Sequence, residues 1–394
     1  MPPTPPRPLL RAPGLDWILM TAVLALVTLG SLLVWSATSH REDLTLGDPT
    51  SYLRKQLVNV AIGLVLLVLV MATDHRWVRI LAPLVYLCSI AGLALVLTMG
   101  VTINGSRSWL QLGGMSIQPS EFAKLAVVIG MGLLVAERAE GRRRTQIGTV
   151  EVLGMLAIAG VPASLIMLQP DLGTMLVLSA TVFGVLATSG APRRWLLLLA
   201  GGGVTAAVAA VAAGFLKQYQ VDRFMAFTNP DLDPRGAGYN VEQARIAVGN
   251  GGLFGQGLFH GSQTRSGFVP EQHTDFIFTV AGEELGLIGA GVLIALLAVV
   301  IWRALAIAAH TDDPFGRIAA AGIACWFGFQ AFQNIGMCLG IMPVTGVPLP
   351  FVSYGGSSMF AGMLAIGLLQ NIHLRSTASV PTRYVMPVRV LTSR

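Results

Sequence analysis

Predominantly apolar stretches of about twenty residues recur along almost the whole chain, at 16–37, 54–72, 77–99, 120–137, 149–167, 172–188, 194–214, 275–302, 315–340 and 352–373. A helix needs roughly 20 such residues to cross the hydrocarbon of a bilayer, since every backbone polar group must be satisfied within the segment. Ten stretches of that length dictate an all-α polytopic membrane protein of about ten transmembrane helices. The remaining long interval, 215–274, becomes one large extracytoplasmic loop. Composition agrees: 54% of the residues are hydrophobic and 12% charged, with mean hydropathy +0.68, against about 25% charged in a soluble domain. A single secreted or tail-anchored domain is excluded. The chain reads as one transmembrane domain over 1–394 with a basic cytoplasmic tail at 375–394.

The first segment follows the Pro-rich MPPTPPRPLLRAPG, is too long for a signal-peptide core and meets no small-residue cleavage site before HRED, so it reads as a retained helix. Cys88, Cys325 and Cys338 lie inside apolar runs without metal-type spacing; they read as small core residues, and no disulfide is expected. The net charge of +6 comes without a Lys/Arg stripe interleaved with aromatics, so no nucleic-acid partner is expected. Topology accounts for the excess. With both termini in the cytoplasm, the inner segments hold Arg7, Arg11, Arg76, Arg79, Arg138, Arg142, Arg143, Arg144, Arg193, Arg194, Arg303, Arg317 and the tail, whereas the short outer loops hold mainly Arg41, Arg54, Lys55 and Arg107. That is the positive-inside bias, and it makes the run around Arg142 a topological anchor. The long loop mixes aromatics with glycines placed for turns, and Ala244 to Val248 before GNGG reads as a short helix stopped by glycine. A loop of this length is usually functional or disordered; its composition favours one folded onto the membrane surface.

In this topology the fourth, sixth, eighth and tenth helices begin at the outer face, each on a polar signature: QPSEFAK (118–124), QPDLGT (169–174), HTDF (273–276) and SYGGSS (353–358). Ser120, Asp171 and Thr274 are capping types. Glu121 and Lys124, three residues apart, share one helix face inside a span, where ionisable groups are expensive and line a cavity or pathway. Four helix N-termini at one level concentrate partial positive charge and free N–H groups, favourable for an anion such as phosphate. Gln118, Ser353, Gly355, Gly356 and Ser357 add side-chain and unshielded backbone donors to that level.

The run from YQVDRFMAF through VEQARIAVGNGGLFGQGL to FVPEQHTDFIFTVAGEELG, with NGSRSWLQLGGMSIQPSEFAK, QPDLGT and GVPLPFVSYGGSS, closely resembles the SEDS family (shape, elongation, division and sporulation), which includes RodA and FtsW. The likeness covers almost the whole chain, and GLDW (14–17) is most similar to the RodA branch. The resemblance implies a ten-helix protein of the bacterial cytoplasmic membrane that polymerises lipid II into glycan strands, beside a class B penicillin-binding protein that crosslinks them. It implies that the family's essential acidic residue falls on Asp275. Polymerisation needs a base for the acceptor sugar hydroxyl and a stabiliser for the departing pyrophosphate, either N–H and cationic groups or a divalent ion such as Mg or Mn. Asp275 is the candidate base. Glu271 and His273 flank it, His273 as a second acid/base or a structural residue. Arg107 is a candidate for the pyrophosphate, with Trp109 beside it, and Asp171 for capping or a metal. Glu283 and Glu284 lie about 12 Å along the helix from Asp275 and take a structural or conformational role. A lipid II flippase, a division- or sporulation-type polymerase and a noncatalytic scaffold are the competing readings. Motifs gathered at one face favour an enzyme.

Overall fold

The computed structural model describes residues 14–103, 106–112, 115–141, 147–214 and 236–376, with 221, 223 and 227. The arginines at 142–144 and nearly all of the basic tail lie outside these residues. Thirteen helices are described: α1 (Trp17–Ser39), α2 (Glu42–Thr45), α3 (Ser51–Ala72), α4 (His75–Met99), α5 (Pro119–Gly141), α6 (Thr149–Leu168), α7 (Leu172–Ser189), α8 (Arg193–Ala212), α9 (Ala237–Asn250), α10 (Ser262–Ser266), α11 (Ile277–His310), α12 (Pro314–Cys338) and α13 (Gly356–Ser376). Among the described residues nine of these are long and apolar enough to cross a membrane; α8, a 20-residue helix RRWLLLLAGGGVTAAVAAVA at the stretch 194–214, is not one of the nine. The chain is a multi-pass membrane protein. Most residues of α5, α12 and α13 are buried, whereas few of those of α3 and α4 are. A central trio is thus wrapped by helices whose outer faces suit lipid.

Capping residues set where spans begin and end. Asp16 caps α1 through Leu19 N–H at 3.1 Å and is held by Arg303 at 2.7 Å. Asp313 caps α12 through the Gly316 N–H at 2.9 Å. Asn371 of α13 donates to the carbonyls of Val70, Met71 and Thr73 at 3.0, 3.2 and 2.6 Å, closing the end of α3. These contacts lock the end of the bundle opposite the long loop.

Two features at the loop end depart from the sequence reading. The segment between α4 and α5 is a small antiparallel sheet rather than a plain loop, ordered β1 (Val101–Ile103), β2 (Ser106–Leu112) and β3 (Met115–Ile117). The Asn-Gly and Gly-Gly dipeptides between these strands are hairpin signals. Second, α11 is not one continuous span. Its 34 residues would reach about 51 Å, well beyond a hydrocarbon core of about 30 Å. Gly286 breaks it at φ 66°, ψ −166°. There the loop backbone takes over: Gln256 and Gly257 N–H donate to the carbonyls of Glu283 and Glu284, both at 3.0 Å, and the carbonyls of Gly252 and Leu253 accept from Leu287 and Ile288 at 2.9 and 3.2 Å. A side chain at 286 would strike the backbone nitrogen of Gly255, so only glycine fits this crossing. Residues 276–284 are buried, and apolar exposure starts at Leu287 and Ile288. Helix α9 confirms the expected helix at 244–248 and extends it to 14 residues, ended by Gly251.

Candidate active site

Helices α5, α7, α11 and α13 all begin at the loop end, around a cavity of about 680 Å³. Gln118 knits three of these starts together: its N–H donates to Ser357 Oγ at 2.8 Å, and its side-chain amide donates to Asp171 Oδ2 at 3.0 Å. Asp171 in turn caps α7 through Thr174 N–H at 3.0 Å and accepts from Thr174 Oγ1 at 2.8 Å. Trp109, Gln118, Asp171, Glu271, Thr274, Asp275, Gly355, Gly356 and Ser357 all line the cavity, as expected of that polar level.

Asp275 sits in a turn closed by the Glu271 carbonyl, which accepts from the N–H groups of Thr274, Asp275 and Phe276 at 3.2, 3.0 and 3.3 Å. The residue at the start of α11 is Phe276, with no side-chain cap. Neither Thr274 nor Asp275 caps that helix, therefore; the Thr274 hydroxyl donates to the Glu271 carbonyl and carboxylate at 3.1 and 3.3 Å. The Asp275 carboxylate faces the cavity and has no hydrogen-bond partner among the described residues. Its pKa is pushed up to about 7, first by burial, then by the Glu271 charge, with Arg223 opposing and Asp171 adding. His273 turns away from the cavity. It is buried between Tyr52 and Tyr354, ring centroids 5.0 and 5.6 Å away, and its pKa is lowered, mainly by burial. A neutral, packed ring supports the turn rather than exchanging protons with a ligand.

Glu121 and Lys124 form the expected pair at 2.7 Å, 2% and 0% exposed. Lys124 also donates to Gln330 Oε1 at 2.8 Å and lies 5.0 Å from the Trp326 ring. The pair is walled off from the cavity. Ser120 is no cap: its hydroxyl is buried without a partner among the described residues. Ser353 fastens its own turn by accepting from Leu349 N–H at 2.8 Å.

The sequence profile of the family described as "Cell cycle protein", covering FtsW, RodA and SpoVE, matches residues 16–378. The chain belongs to the FtsW, RodA and SpoVE family. The peptidoglycan glycosyltransferase MrdB of Escherichia coli (strain K12) is 37% identical over 91% of this chain and 93% of its own. The probable peptidoglycan glycosyltransferase FtsW of Trichlorobacter lovleyi is 36% identical over 91% and 92%. A solved chain from a study of how a peptidoglycan synthase complex coordinates polymerization and crosslinking superposes with TM-score 0.75 at 32% identity, covering 93% of this chain and 99% of that one.

Within this member of the family, three placements correct or extend the sequence reading. Arg107 does not face the cavity; its guanidinium is spent on the carbonyls of Gly100 and Thr98, each at 2.7 Å. Along β2 its neighbours Ser106 and Ser108 line the cavity instead, together with Trp109. The cations that do line it are Arg54 and Lys55 of α3, with Arg223, alongside Asn59. The signal was present in the sequence for Arg54 and Lys55, which stand at the start of a span on the outer side. Glu283 and Glu284 lie away from the cavity and hold the loop. Glu283 accepts from Ser262 Oγ, Gln263 N–H, Thr264 N–H and Thr264 Oγ1 at 3.2, 2.7, 2.9 and 2.7 Å, and Glu284 accepts from Ser36 Oγ at 2.7 Å. Among the described residues no three His, Cys, Asp or Glu side chains form a cage for a metal ion. A divalent cation at Asp275 would draw most of its ligands from phosphate oxygens and water, the habit of magnesium.

Proposed function

We propose that this chain is a peptidoglycan glycosyltransferase that polymerises lipid II at the outer face of the bacterial cytoplasmic membrane, for cell elongation and rod shape. The observation that carries the reading is the Asp275 carboxylate, left without a hydrogen-bond partner among the described residues on the wall of a cavity that also holds Arg54, Lys55 and Arg223. One cavity thus offers an acceptor for a proton and counter-charges for a pyrophosphate. The acceptor sugar hydroxyl attacks the anomeric carbon of the donor and its proton passes to Asp275, while the bond to undecaprenyl pyrophosphate breaks. A base is most effective when its pKa lies near the operating pH, and a value near 7 meets that condition. Arg54, Lys55 and the N–H groups of 355–357 are placed to take the charge of the departing diphosphate, and Trp109 offers an apolar ring beside the sugars.

The loop end is assigned to the extracytoplasmic side because the opposite end carries Arg76, Arg79, Arg193, Arg194, Arg303 and Arg317, the side that the positive-inside bias makes cytoplasmic. Both termini are then cytoplasmic. The similar peptidoglycan synthase complex supports a class B penicillin-binding protein as the crosslinking partner. Identities of 37% to MrdB and 36% to FtsW keep a division role as the second reading, and GLDW at 14–17 favours elongation. The test is lipid II supplied to the purified protein, alone and with its transpeptidase. Polymeric glycan is the expected product. Movement of lipid II across vesicles without polymer, even with the partner present, would overturn the assignment in favour of a flippase.

A further inference from the structure

Helix α12 carries three amides, Gln330, Gln333 and Asn334, 1%, 0% and 0% exposed. Buried amides inside a membrane bundle are costly unless hydrogen-bonded, so their partners show what they are for. All three donate to the irregular segment between α12 and α13. Gln330 reaches the Pro348 carbonyl at 2.8 Å. Gln333 reaches the Pro343 carbonyl at 3.2 Å and Thr345 Oγ1 at 3.1 Å. Asn334 reaches the Val347 carbonyl at 2.7 Å and, uniquely in this row, the carbonyl of Asp275, also at 2.7 Å. Because both acceptors are carbonyls, the orientation of its amide is fixed: nitrogen toward them. Asn334 therefore clamps two walls of the cavity to each other.

The clamp has a consequence for the carboxylate. Between the two prolines, Gly346 adopts φ +69°, and a side chain there would come within 3.2 Å of Asp275 Oδ2. The bare Gly346 backbone thus leaves the space that the carboxylate borders, and Asn334, bonded to the Asp275 and Val347 carbonyls, sets the spacing of the two segments from behind. The Glu121–Lys124 pair feeds into the same row: Gln330 Oε1 accepts from Lys124 Nζ at 2.8 Å and from Trp326 Nε1 at 2.6 Å, which directs its amide nitrogen to Pro348. That gives a buried pair, out of reach of any substrate, a route to the site.

We propose that Asn334 is a positioning residue for the glycosyl transfer, holding Asp275 against Gly346, and that the Glu121–Lys124 pair acts through Gln330 on the same segment. The inference rests on Asp275 being the base. The groups around Asp275 that also titrate or carry charge are Glu271, Asp171 and Arg223, with the buried Cys338 thiol at the end of α12, and none of them is altered by the test. The full-length chain in complex with its transpeptidase is assayed for lipid II polymerisation across pH as Asn334→Leu, which removes both hydrogen bonds without burying a charge. The expected result is a kcat lower by about 10- to 100-fold, as for a misplacement of about 1 Å, with KM within about twofold and a displaced acid limb of the pH–rate profile. A merely architectural residue would reduce only the amount of active protein, leaving the KM and pH midpoint of the survivors at wild-type values; that outcome overturns the proposal. If Asn334→Leu does not fold, Gly346→Ala attacks the same spacing from the other side, and a wild-type kcat and pH midpoint in that variant overturns the proposal equally. Asp275→Asn run in parallel separates the two claims. If it is inactive while Asn334→Leu is normal, only the positioning fails; if Asp275→Asn turns over normally, the base assignment fails.

Discussion

Asp275 and Glu283 lie eight residues apart in the same polar stretch, and the structure treats them in opposite ways. Glu283 is fully buried and accepts hydrogen bonds from Ser262, Gln263 and Thr264, including two backbone N–H groups at the start of α10. Asp275 is only partly buried, yet no described residue donates to its carboxylate. Charge-assisted hydrogen bonds contribute about 1.5–3 kcal/mol each, so a carboxylate with a full set belongs to the architecture. One partly desolvated and left without donors has its basicity raised and its lone pairs open. The pair shows that partner count, rather than position in a motif, separates a reactive acid from a structural one.

The largest expected effect breaks this comparison at Asp275. Asparagine there keeps the shape of the side chain but takes no proton, so Asp275→Asn should lower lipid II turnover by about 10²–10⁴-fold while folding and partner binding persist. In the wild-type enzyme the required form is the carboxylate, and its pKa near 7 predicts turnover that declines toward tenfold per pH unit below that value. Near-normal turnover by a well-folded Asp275→Asn variant would remove the distinction altogether.

At Glu283 the effect should be smaller and of another kind. Glu283→Gln leaves one acceptor oxygen and turns an NH₂ either toward the Ser262 and Gln263 donors or toward those of Thr264, so a buried backbone N–H loses its partner at about 1–3 kcal/mol. The segment 251–266 should then become more susceptible to proteolysis and hydrogen exchange, with turnover per folded molecule falling less than in Asp275→Asn. An inactive Glu283→Gln protein whose loop stays fully protected would place Glu283 in the chemistry after all.

Much of this was legible in the chain because membrane spans and helix starts are local properties. Nine of the ten apolar stretches fell within a few residues of their helices, while the one at 275–302 ran on to His310 with a break at Gly286; the four polar signatures did converge, since short connections leave alternate helix starts at one end. The Glu121–Lys124 pair followed from a spacing of three. What escaped depends on partners distant in sequence. The break at Gly286 exists because the backbone of 252–257 is there to take over its hydrogen bonds. Arg107 looked like a phosphate ligand until its own strand turned it toward Gly100 and Thr98. Gln330, Gln333 and Asn334 drew no reading from the sequence, because their carbonyl partners lie in another segment and, for Asn334, on another helix start as well.

The smallest effect tests the comparison through stability. A carboxylate whose folded pKa, about 7, exceeds its unfolded value of about 3.9 binds protons more tightly in the folded state. Its contribution to stability therefore falls as pH rises from about 4 to about 7 and stays lost above that. Asparagine carries no such dependence. The Asp275→Asn protein should thus gain on the wild type as pH increases, with a higher Tm at pH 8 and little difference near pH 4. Because the side chain borders the cavity, water screens much of the cost, and the gain should be limited to a few degrees. Glu283→Gln should do the reverse at neutral pH, lowering Tm, because it discards hydrogen bonds that Glu283 makes as an acceptor. If Asp275→Asn also lowers Tm at pH 8, then Asp275 is stabilising the fold through a partner, and the contrast with Glu283 fails at its root.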